Sequence, residues 1–142
     1  MLTTGLVLVA LIQIQGAKAA VAVVTPRVLD SGDQSNMDDG RQVVARTAAE
    51  LNTLWRLHAP DRPQPGVNFA TEMVVGVFIG SRPSAGFAVE ILGVEERGGA
   101  TVVRYRETAP GRDAITAQVI TSAYQLVAVP KRTGEVRFEK QP

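Results

Sequence analysis

Met73-Val74-Val75-Gly76-Val77-Phe78-Ile79 is an unbroken apolar run closed by Gly80. It has strand length and is short for a helix, and Val74, Val75, Val77 and Ile79 are β-branched. With no polar residue alternating, the run predicts a central strand covered on both faces. Downstream the period is two. Phe87, Val89 and Ile91 alternate with smaller or polar neighbours, as do Thr101, Val103 and Tyr105. Gly98-Gly99 between those runs is a two-residue hairpin signal. Pro110-Gly111 and Thr133-Gly134 mark further turns, and Ala117–Ser122, Gln125–Val129 and Glu135–Glu139 are further strand candidates.

Upstream, Val21–Val28 reads as a first strand and Gln42–Arg46 as a short one. Between them, residues Asp30–Gly40 have the composition of an exposed loop. Their acidic residues lack the spacing and terminal Glu of a calcium loop. Thr47 and Glu50 form a capping box, and Leu51, Leu54, Trp55 and His58 follow at one-face helical spacing. The helix, about residues 48–58, stops before Pro60, and Pro63, Pro65 and Gly66 make a turn-rich connector. The expected fold is α+β, a mostly antiparallel sheet of six to eight strands with one packed helix.

Residues 1–19 read as a targeting segment. An apolar run from Gly5 to Ile14 leads to Ala17-Lys18-Ala19, the small-residue pattern of a signal-peptidase site. A membrane span needs roughly 20 apolar residues, and Gln13, Gln15 and Lys18 interrupt this one. No Lys or Arg precedes the run, so an uncleaved anchor stays open as the second reading. The expectation is an exported protein, periplasmic or extracellular, with residues 20–142 as a single domain. The chain has 15 basic and 14 acidic residues, and losing Lys18 brings them level. Such a neutral domain is a poor electrostatic partner for nucleic acid or an anionic membrane.

No cysteine is present, which removes disulfides, thiolate catalysis and thiolate metal sites together. His58 is the single histidine, on the apolar helix face, where packing is the expected role. No Gly-x-Ser-x-Gly elbow and no complete phosphate loop occurs. The reading assigns no catalytic residue, no metal and no cofactor.

The informative motif is Phe78-Ile79-Gly80-Ser81-Arg82-Pro83-Ser84-Ala85-Gly86-Phe87. Two strands flank a short loop bounded by glycines that permit positive φ. Pro83 fixes its own φ and keeps Arg82 extended. The expectation is a stiff partner-binding loop made of Gly80, Arg82, Pro83, Ser84, Gly86 and Phe87, with Arg82 and Ser84 presented to solvent and Phe87 as its anchor. An ordinary hairpin turn is the plainer alternative.

This motif, the preceding Asn68–Val75, the upstream Leu54-Trp55-Arg56-Leu57-His58 and the downstream Thr121–Val127 together resemble the C-terminal domain family of PrcB-type protease-complex subunits. The resemblance spans roughly residues 40 to 130, and Arg-Pro-Ser-x-Gly-Phe is its most specific element. It implies a non-catalytic exported protein that associates with or stabilises a protease or other envelope protein. Pro83-Ser84-Ala85-Gly86-Phe87 is also similar to a loop of chagasin-type inhibitors, which implies direct protease inhibition as an alternative. An enzyme acting on small substrates through carboxylates and Arg is the third reading.

Overall fold

The computed structural model describes residues 21–142. The expected targeting segment, residues 1–19, lies outside the described residues. The elements in chain order are β1 (Val21–Val24), β2 (Arg27–Gly32), β3 (Arg41–Ala45), α1 (Ala48–His58), β4 (Glu72–Phe78), β5 (Ala88–Arg97), β6 (Ala100–Thr108), β7 (Tyr124–Pro130) and β8 (Val136–Lys140). Among the described residues no helix is long and apolar enough to cross a membrane.

The α+β class holds, but the single sheet of six to eight strands does not. The strands form two four-stranded sheets, β1-β5-β6-β8 and β2-β7-β4-β3. The reason lies in β4. Its Met73, Val75 and Val77, with Ile79 just beyond its end, pack into the core between the sheets, while Val74 and Phe78 pack into a second core beneath α1. One short helix can cover only one face, so the other face needs a whole sheet. The result is three layers, sheet on sheet on helix. Burying each large apolar side chain in these cores contributes about 1.5–3 kcal/mol relative to exposure.

The expected first strand, Val21–Val28, is two strands in two sheets. Thr25 and Pro26 fall between them, and proline has no N–H for a ladder. β1 pairs with β5 and β2 with β7, both antiparallel. Every other pairing is antiparallel except β6 with β8, which run parallel. Gly98 and Gly99 close the β5–β6 hairpin as their spacing predicts.

α1 spans Ala48–His58, as the periodicity predicts. Thr47 caps it, its Oγ1 accepting from the Glu50 amide at 3.2 Å. The Glu50 carboxylate reaches back one residue further than in a standard capping box and accepts from the Arg46 amide at 3.0 Å. Leu51, Leu54, Trp55 and His58 are the buried face.

A bulge in β2 decides where Asp30 points. Val28 pairs with Val127 and Asp30 with Leu126, so Leu29 is the extra residue. Without it Asp30 would stand opposite Gln125, whose side chain reaches the other sheet and accepts from the Ile91 amide at 2.6 Å. The one-residue shift turns Asp30 to the face of Leu126, beneath the helix.

Candidate functional site

The Gly80–Phe87 loop leaves β4 at the end of the sandwich. Gly80 has φ +80° and Gly86 φ +97°, so both bounding glycines sit in left-handed backbone. A Cβ on Gly80 would come within 2.7 Å of the Gly40 amide nitrogen and 2.8 Å of the Asp38 carbonyl oxygen. Main-chain bonds pin the loop on two sides. The Ser81 amide donates to the Asp38 carbonyl at 2.9 Å, and its hydroxyl to Asp38 Oδ1 at 3.1 Å. Arg82 and Thr121 exchange a pair of backbone bonds at 2.8 and 3.0 Å. The Ala85 amide donates to the Ala117 carbonyl at 2.9 Å, and Thr121 Oγ1 to the Ser84 carbonyl at 2.8 Å.

The loop is held by these hydrogen bonds, and it presents other residues than expected. Arg82 and Ser84 are half-buried, whereas Ser81, Pro83 and Gly86 are exposed. The Arg82 guanidinium lies over the Phe87 ring, 5.8 Å from its centroid, and 3.9 Å from Glu107. The Ser84 hydroxyl donates to the Ala85 carbonyl at 3.0 Å. Polar side chains beside an aromatic ring and free carbonyls find partners within the loop, and Pro83, with neither donor nor charge, is left at the tip. Phe87 is partly buried against the inter-sheet core.

The bracing segment, expected as a strand over Ala117–Ser122, is not one. Only Thr121 and Ser122 make isolated bridges, to Arg82 and Gln34. A ladder needs a partner with regular donors, and the facing loop has no N–H at Pro83 and donates to the segment again only at Ala85. Nearby, a cleft of ≈ 350 Å³ opens between the sheets, lined by residues including Arg41, Gln42, Tyr105 and Glu107. There Gln42 Nε2 donates to the Tyr105 hydroxyl at 3.0 Å.

Residues 33–40 form the mostly exposed loop their composition predicts, but bonds to the rest of the fold tie it down and one of its side chains is buried. β2 runs on to Gly32, the Ser35 amide donates to the Ser122 carbonyl, and the Asn36 amide to the His58 carbonyl. Met37 is buried in the core under α1, and Ser122 Oγ donates to its carbonyl at 2.6 Å. Among the described residues no group of three or more His, Asp or Glu side chains converges to hold a metal.

His58 packs as the sequence predicts, yet it also anchors a polar network. Its ring is fully enclosed and meets Trp55, Phe78 and Tyr124 edge-on, with centroids 5.1, 5.2 and 4.2 Å away. Nε2 lies 3.0 Å from Asp30 Oδ2 and Nδ1 2.8 Å from Ser35 Oγ. The proton therefore belongs on Nε2, donating to the carboxylate, and Nδ1 accepts from the Ser35 hydroxyl. Arg62 holds Asp30 through both oxygens at 3.1 and 2.8 Å and donates to the Tyr124 hydroxyl at 2.9 Å. Its guanidinium lies 5.4 Å from the Trp55 ring centroid. Burial alone would raise the Asp30 pKa, but the bonds from Arg62, His58 and Tyr124 outweigh it and hold the carboxyl below its ordinary value. Burial also dominates at His58 and lowers its pKa against the opposing pull of Asp30, so the ring is neutral. Burial raises the Tyr124 phenol.

Ser35, His58 and Asp30 follow one another as a hydrolytic relay would, but both ring nitrogens are occupied inside a closed aromatic cage. A base must come within hydrogen-bond reach of a substrate atom, and this ring is closed to solvent. The arrangement instead ties the end of α1 to β2 and β7. The sequence reading missed this network. The signal for it was the His58–Arg62 spacing of four across the helix end, with one acidic residue closing an apolar strand.

No curated protein and no solved structure matches the chain. Residues 73–130, which run from within β4 to the end of β7 and contain both the Gly80–Phe87 loop and its Thr121 brace, match the PrcB C-terminal family, the family that the sequence resembles.

Proposed function

We propose that the chain is an exported, non-catalytic protein-binding module that associates with or stabilises a protease or another envelope protein. The match to the PrcB C-terminal family supports association with a protease complex. The observation that carries the contact site is the bracing of the Gly80–Phe87 loop from both sides, which leaves Pro83 exposed at its tip. A loop already fixed in one conformation loses little entropy when a partner closes on it. Arg82 positions the loop through Phe87 and Glu107, and Gly80 and Gly86 supply its backbone turns.

The test is capture of the partner from envelope extract by the wild-type chain and by Arg82→Ala combined with Pro83→Ala. The double variant should keep its unfolding transition and lose most of the captured partner. Undiminished capture would remove the loop from the interface.

The exposed proline tip also supports a second reading, direct inhibition of a protease by insertion of that tip. Assays against cysteine and serine peptidases with the chain in stoichiometric excess separate inhibition from association. Full residual activity throughout the panel would reject inhibition for those enzymes.

A further inference from the structure

The segment that braces the loop carries a feature the loop does not explain. Residues 114–120 run without a turn or bend and stand against the loop on one side only. Ile115 is fully exposed, and Ile120 and Val119 are 73 % and 51 % exposed. No charged residue occurs between Asp113 and Lys131. Natural proteins guard open strand edges with charge, proline or a covering element. Here none of these is in place, and single exposed aliphatics elsewhere on a surface do not gather in this way.

The main chain shows what would cover it. The Ala117 carbonyl and both backbone groups of Thr121 point at the loop. In an extended chain alternate residues face opposite edges, so the amides of Thr116, Gln118 and Ile120 face outward. Among the described residues these three amides make no hydrogen bond. The one outward carbonyl with a partner, on Thr116, takes only the Gln118 side chain at 3.3 Å. Ile115, Ala117 and Val119 lie on one face of that edge. A lipid surface is a poor occupant, because unpaired amides do not enter hydrocarbon. A polypeptide in extended form satisfies both features together, pairing with the amides and covering the aliphatic face.

We propose that the outer edge of residues 114–120 accepts an extended segment of the partner polypeptide as an added β-strand, with alternate apolar side chains laid over Ile115 and Val119. The inference rests on the protein-binding reading and gives that partner's recognised chemistry: an uncharged, extended main chain.

Short random peptides displayed on phage and selected against the full chain test it. Selected peptides should alternate apolar residues, slow hydrogen exchange at Thr116, Gln118 and Ile120, and lose affinity when alternate amides are N-methylated. Ile115→Lys with Val119→Lys should weaken them about ten-fold or more, whereas Pro83→Ala should not. Failure to select any peptide, protection elsewhere on the chain, or indifference to N-methylation would overturn the strand edge. Protection of 116–120 in the protein alone, with a doubled mass, would assign the edge to a second copy and overturn it equally. Because these readouts use peptides, they can fail while capture by the Pro83 loop succeeds, and the reverse.

Discussion

His58 Nε2 stands 3.0 Å from Asp30 Oδ2 although 28 positions separate them, and a single extra residue, Leu29, makes the meeting geometrically available. Removing the carboxylate by Asp30→Ala leaves the imidazole N–H and the Arg62 guanidinium without their shared acceptor. The expected cost is about 2–3 kcal/mol, read as a lower urea midpoint with an unchanged slope. An unaltered midpoint would mean that the network adds nothing to stability.

The same pair sets a pH dependence. Both groups have folded-state pKa values below their ordinary ones. A depressed pKa contributes stability that is complete above the unfolded value and is lost as pH falls toward the folded one. For His58 the loss begins near pH ~6.5, and for Asp30 near pH ~4, the ordinary values of the two groups. Unfolding free energy should fall in two overlapping stages on acidification. In His58→Gln the upper stage should disappear and the lower one remain. Identical profiles for the two proteins would contradict the buried neutral imidazole.

Gly80→Ala should be costly. It places a side chain at φ +80° and a Cβ 2.7 Å from a backbone nitrogen. Strain and overlap together are expected to remove about 2–4 kcal/mol, measured by thermal unfolding. A loss within a few tenths would show that the loop can shift at no cost, contrary to its bracing.

Thr121→Val deletes the hydroxyl that donates to the Ser84 carbonyl and keeps the side chain's shape. The global effect should be small, about 1 kcal/mol. Hydrogen exchange at Ala85 and Arg82 should nevertheless accelerate, because their acceptors lie on the same brace. Unchanged exchange would place the loop's rigidity elsewhere.

Much of this fold could be read from local pattern. The run Met73–Ile79 announces a strand covered on both faces, and Thr47 with Leu51, Leu54 and Trp55 announces the helix. Both depend only on spacing along the chain. What covers the second face of β4 depends on pairings distant in sequence, and a single sheet and two sheets give the same period-two signal at β5, β6 and β7. The Asp30–Gly40 stretch looked solvated because Asp, Ser and Asn favour loops in water. Most of it is exposed, and what no local pattern reveals is the burial of Met37 and the bonds that tie the loop to Ser122 and His58. The glycines at 80 and 86 announced the left-handed backbone that both adopt. Composition alone could not foretell that Arg82 would fold over Phe87 and leave Pro83 as the exposed tip.

Site-specific photocrosslinking tests whether the Gly80–Phe87 loop is the proposed protein-contacting surface. A benzoylphenylalanine placed at Pro83, or for comparison at Leu57 on the exposed side of α1, is irradiated in envelope extract. A discrete crosslinked partner is expected from position 83 and none from position 57. A partner crosslinked from position 57 and absent from position 83 would contradict it.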